Sequence, residues 1–80
     1  MTLTPVDLLP FDARVERLDE LAGYLRETLL DHDGQMPLRA FLDTAAREHR
    51  LPMAEVKYGL TRAKGLGTIS VTGAGIVALA

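Results

Sequence analysis

Between Met53 and Lys64 the chain carries side chains of the kinds that nucleic-acid recognition uses: Lys57, Tyr58, Thr61, Arg62 and Lys64. Turned at about 100° per residue, Met53, Val56, Leu60 and Ala63 share one face of a helix. Ala54, Tyr58, Thr61 and Arg62 then lie on the outer face, with Lys57 and Lys64 at one flank and Glu55 at the other. A reader of the major groove needs hydrogen-bonding groups for base edges and cations beside them for phosphates. Arg62 can bond a guanine, Thr61 a base edge or a thymine methyl, and Tyr58 a phosphate. Lys57 and Lys64 suit phosphates. A merely solvated helix face would also carry Lys and Arg; the exposed aromatic ring expected at Tyr58 is what favours contact.

Three further cations, Arg39, Arg47 and Arg50, come just before this run. Arg39 and Arg47 each stand four residues from Asp43, so they suit either phosphates or the modest ion pairs of an exposed helix. Leu38, Phe41, Leu42 and Ala45 have the spacing of one helical face. Leu51 points inward after that helix, and Pro52 cannot continue it but fits the first turn of the next. Two short amphipathic helices, near 38–49 and 53–64, are thus joined by a tight turn.

Gly65-Leu66-Gly67 reads as a helix stop. Thr68 to Val71 alternates in the manner of a strand, Thr72-Gly73-Ala74-Gly75 suits a hairpin turn, and Ile76 to Leu79 is a second β-rich run. The hairpin is expected to pair 67–71 with 76–80. Upstream, Asp12 suits an N-cap for a first helix over 13–32, with Phe11, Val15, Leu18, Ala22, Leu25 and Leu29 on its apolar face. Gly34 suits the left-handed position after that helix.

This order resembles the winged helix-turn-helix superfamily, especially the small bacterial DNA-binding regulators. The resemblance covers residues 12–80 and rests on pattern and order. It implies an α+β, mostly helical domain of three helices plus a small C-terminal β-hairpin wing. It also implies a short strand near Gln35-Met36-Pro37 pairing with the wing, the second helix crossing the DNA backbone and the third entering the groove. One feature departs from the pattern, since the wing tip carries no Lys or Arg.

Charge separates along the chain. The formal net charge is −2, which excludes a globally basic nucleic-acid binder. Residues 1–38 hold three arginines against eight carboxylates, a net of −5; residues 39–80 hold six cations against three carboxylates, a net of +3. Asp12, Glu16, Asp19, Glu20, Glu27 and Asp31 gather on one side of the first helix. A domain with one side turned to nucleic acid shows such an asymmetry, and chance segregation of surface charge would produce it too.

No catalytic constellation emerges, so no enzyme is expected. There is no phosphate loop, and Ser70 sits in a strand with no base placed for it. The absence of cysteine excludes disulfides and thiolate metal sites. No metal or other cofactor is expected: Asp31-His32-Asp33 reads as a solvated helix end and His49 as a neutral packed histidine. No signal peptide or membrane span is apparent, which fits a cytoplasmic protein.

Residues 1–11 form an apolar arm whose prolines oppose a regular helix. A core of 80 residues supplies about 3–5 kcal/mol unaided, so a homodimer through the arm or first helix is expected, with Tyr24 and Leu30 as candidate contacts. The sequence leaves two readings. In one, a transcription regulator binds double-stranded DNA; in the other, a module of the same fold docks on a protein partner through its acidic first helix or its arm.

Overall fold

Each helix begins directly after a proline. In the computed structural model, which describes residues 9–80, helix α1 (Phe11–Leu30) follows Pro10, α2 (Leu38–Glu48) follows Pro37 and α3 (Met53–Leu66) follows Pro52. These prolines have φ near −58° and ψ of 159°, 141° and 144°, an extended conformation that a helix cannot enter. The ring clashes with a helical conformation at the residue before it, so no helix extends past it toward the N-terminus. Pro10 therefore starts α1, and Asp12 lies inside the first turn instead of capping it. The helix runs 11–30, not 13–32, and takes Phe11 out of the arm. Pro52 likewise stands one place before the first turn of α3.

The helix ends use left-handed residues. After α1, Asp33 (φ 65°) and Gly34 (φ 80°) are both left-handed, and the Gly34 N–H donates to the Leu29 carbonyl at 2.7 Å. After α2, Arg50 takes φ 53°, and the Leu51 N–H reaches the Ala46 carbonyl at 2.9 Å. Helix α3 continues through Gly65 and Leu66 and stops at Gly67, φ 77°, where Thr68 donates to Ala63 and Gly67 to Lys64. Those two bonds close a Schellman motif. The helix stop is therefore Gly67 alone, and α3 is two residues longer than its apolar spacing indicated.

Strands β1 (Gln35–Pro37), β2 (Ile69–Val71) and β3 (Ile76–Leu79) form one antiparallel sheet in the order β1-β3-β2. Ser70 faces Ala78 across the hairpin, and Met36 faces Val77 on the other side. The wing loop is Gly73-Ala74-Gly75. Thr72 N–H donates to the Ile76 carbonyl, Gly75 N–H to the Thr72 carbonyl, and Gly75 is left-handed at φ 79°. A type I turn followed by a left-handed glycine is a standard three-residue hairpin. The whole is an α+β, winged-helix-like layout of three helices and a small sheet.

One core joins these elements: Ala22, Leu25 and Leu29 from α1, Phe41 and Ala45 from α2, Val56 and Ala63 from α3, and Ile69 and Val77 from the sheet. The apolar stripe of α1 enters it only from Ala22 onward. Phe11 is 73% exposed, and Val15 and Leu18 are half-buried. At 1.5 Å per residue α1 is about 30 Å long, and none of its positions from 11 to 20 is fully buried. Tyr24 is half-buried and Leu30 is 51% exposed.

The buried face of α3 is also turned from the expected one. Glu55, Val56, Gly59 and Ala63 are buried, while Met53 and Leu60 are half-buried. At about 100° per residue this is a rotation of roughly 60°. Gly59 explains it. A glycine lets α1 approach closely on that side, so Glu55 goes under α1 instead of flanking the outer face. Among the described residues no helix is long and apolar enough to cross a membrane.

Candidate nucleic-acid interface

Helix α2, the turn and α3 expose five cations: Arg39, Arg47, Arg50, Lys57 and Lys64. Among the described residues none of the five forms an ion pair. The pairs of Arg39 and Arg47 with Asp43 that spacing allowed are not made. Helix α2 turns Phe41, Thr44 and Ala45 inward, which leaves Arg39 and Arg47 outward. In the turn, Leu51 packs against the core while Arg50 stays exposed.

On α3, Tyr58 is 39% exposed and Thr61 is exposed. The Thr61 hydroxyl donates to the Lys57 carbonyl one turn back at 3.2 Å. Its one hydrogen is thereby used within the helix, and toward a ligand it is an acceptor. Arg62 is the exception on this helix. Its Nε donates to Asp19 Oδ1 at 2.7 Å, and its side chain is 35% exposed. Sequence spacing placed Arg62 on the outer face; in the structure it lies at the seam with α1.

Two polar clusters set the pose of the helix-turn-helix on α1. At the end of α2, the His49 ring stacks on Tyr24 with centroids 5.0 Å apart and planes 20° from parallel. His49 Nε2 is 3.1 Å from Thr28 Oγ1, and the Thr28 hydroxyl already donates to the Tyr24 carbonyl. Since Thr28 has no second hydrogen, His49 Nε2 is the donor in this pair. His32 on the far side meets Glu48 at 3.3 Å. These contacts hold the C-terminal end of α2, and with it Arg47 and Arg50.

The second cluster holds α3. The Arg17 guanidinium bonds Glu20 at 3.1 Å and the buried Glu55 at 3.0 Å, and the Tyr24 hydroxyl donates to the other oxygen of Glu20 at 3.0 Å. Burial opposes the Arg17 charge, but the hydrogen bonds and charges of Glu55 and Glu20 outweigh it and raise its pKa. The Arg17 bond, then the Tyr24 bond, lowers the Glu20 carboxyl below its ordinary value. Acceptance by Glu20 and its negative charge raise the Tyr24 phenol. Arg17 through Glu55 and Asp19 through Arg62 thus tie α1 to α3.

Sequence reasoning missed Glu55 and Gly59. The available signal was the glycine itself, because a mid-helix glycine costs about 1 kcal/mol against alanine and usually has a packing reason. Among the described residues no group of three or more His, Asp or Glu gathers as metal ligands would. Comparison of the chain with protein-family models, with curated proteins and with solved structures gives no match.

Proposed function

We propose that this chain is a small winged helix-turn-helix protein that binds duplex DNA, with α3 in the major groove. The observation that carries this reading is the set of five exposed cations, Arg39, Arg47, Arg50, Lys57 and Lys64, none ion-paired among the described residues. They lie on the two helices and turn that such a fold lays against the duplex. Most of the affinity then comes from phosphate contacts and counterion release. Tyr58 and Thr61 stand on the same helix as Lys57 and Lys64 and meet the groove with them. The proposal includes a cytoplasmic transcription regulator acting as a homodimer, which fits a domain with so small a core.

Single alanine substitutions test the reading. Lys57→Ala, Lys64→Ala or Arg47→Ala should weaken binding to all duplexes about equally and lower the salt slope by about one. Arg26→Ala removes an exposed cation from α1 and serves as the control that changes little.

A second reading has its own support. Phe11 is 73% exposed at the start of α1, and aromatic rings are enriched at protein interfaces. A protein partner docking on α1 is the alternative if duplex binding is absent.

A further inference from the structure

The geometry points to Asp19 as a positioning residue that withholds Arg62 from duplex DNA and so limits how well α3 discriminates sequence. This rests on the duplex-binding reading above. Of the side chains on α3, only Arg62 carries the planar fork that matches guanine O6 and N7 with two parallel bonds. The exposed remainder offers point charges at Lys57 and Lys64 and an acceptor at Thr61. These hold a backbone more readily than they distinguish bases.

The fork of Arg62 is turned toward α1, where Nε bonds Asp19 Oδ1 at 2.7 Å across 43 residues of sequence. The neighbouring carboxylates are already engaged: Arg17 holds both Glu20 and Glu55. Asp19 is left to Arg62. Its side chain is 50% exposed and that of Arg62 is 35% exposed, so the pair is screened by solvent and individually weak. The contact is a bias on the direction of the guanidinium, not a lock. In the protein as it stands, the gain that duplexes rich in guanine draw from Arg62 is reduced by the worth of that pair. With Asp19 neutralised, Arg62 is free to swing to a base edge.

The experiment compares the wild type, Asp19→Asn, Arg62→Ala and the double variant on a G·C-rich and an A·T-only duplex of equal length. Glu16→Gln, which removes another exposed carboxylate of α1, controls for general charge. Asp19→Asn should raise affinity for the G·C-rich duplex by roughly two- to fivefold relative to the A·T-only one, the most that release of an exposed ion pair can return. That gain should vanish in the Arg62→Ala background and be missing from Glu16→Gln, because the coupling lies between two residues. An equal gain on both duplexes, a gain that survives Arg62→Ala, or no gain in a protein that otherwise binds DNA and melts normally overturns the role of Asp19. Absence of binding by every variant removes the duplex reading itself, and this inference with it.

Discussion

Gly59 on α3 packs against Leu21 on α1 so closely that a Cβ on the glycine would lie 2.9 Å from the Leu21 Cβ. It would also meet Leu25 Cδ1 at 3.2 Å and the Leu21 backbone carbon at 3.3 Å. The first and third helices therefore touch at a point that no larger side chain fits without movement. At Gly23, exposed on α1, a Cβ would meet nothing within 4 Å.

The same substitution should act with opposite signs at these two glycines. Gly59→Ala should destabilise by about 1–3 kcal/mol through overpacking, more than helix propensity returns. Gly23→Ala should stabilise by about 0.5–1 kcal/mol, having only the propensity gain. Denaturant melts of both variants decide it; a stabilised Gly59→Ala would mean that the helices part easily.

Much of the architecture was legible because it rests on local signals. Pro37 and Pro52 before apolar runs, Gly67 after one, and the alternation around Thr72-Gly73-Ala74-Gly75 set three helices and a hairpin with boundaries near those observed. The facing of α3 was not legible from its apolar residues. Leu60 and Met53 looked inward by type, but the direction of closest packing is set by a residue with no side chain, Gly59, and by a charge, Glu55, that Arg17 compensates from 38 residues away. In the candidate interface the outward facing of the cations followed from spacing, whereas their lack of ion pairs with Asp43 did not, and the fate of Arg62 depended on Asp19, which lies on another helix.

Arg50 should be a strained position. Its φ of 53° is left-handed, which costs an L-residue about 1–2 kcal/mol. Glycine relieves that but gives the unfolded chain more freedom, worth about 0.4–1 kcal/mol. Melting temperatures should therefore rank Arg50→Gly at or above wild type and Arg50→Val well below it. An Arg50→Val protein as stable as wild type would contradict the assigned turn geometry.

Acid should act in part through Glu20. Its carboxyl is lowered by the Arg17 bond first and the Tyr24 bond second, relative to an ordinary 4.5. A depressed pKa means that the stability it contributes is present above the unfolded value and lost as pH falls through the folded one. The melting temperature of wild type should exceed that of Glu20→Gln at neutral pH, and the gap should close on acidification below 4.5. A gap that persists or widens in acid would remove Glu20 from the account.

Association should depend on the N-terminal end. The arm from Met1 to Leu8 lies outside the described residues, and Phe11 just beyond it is 73% exposed. Removing residues 1–9 should shift the protein toward monomer in sedimentation, and Phe11→Ser should do so in the full chain. A full-length protein that is strictly monomeric at high micromolar concentration would end the homodimer proposal.

Arg39, Arg47, Arg50, Lys57 and Lys64 are proposed to meet DNA phosphates, and a salt titration of the wild-type protein on mixed-sequence duplex reads all five together. If all five release counterions, the logarithm of the binding constant should fall with the logarithm of salt at a slope of about −4.5. No binding at about 50 mM salt, or binding that hardly changes with salt, would contradict that proposal.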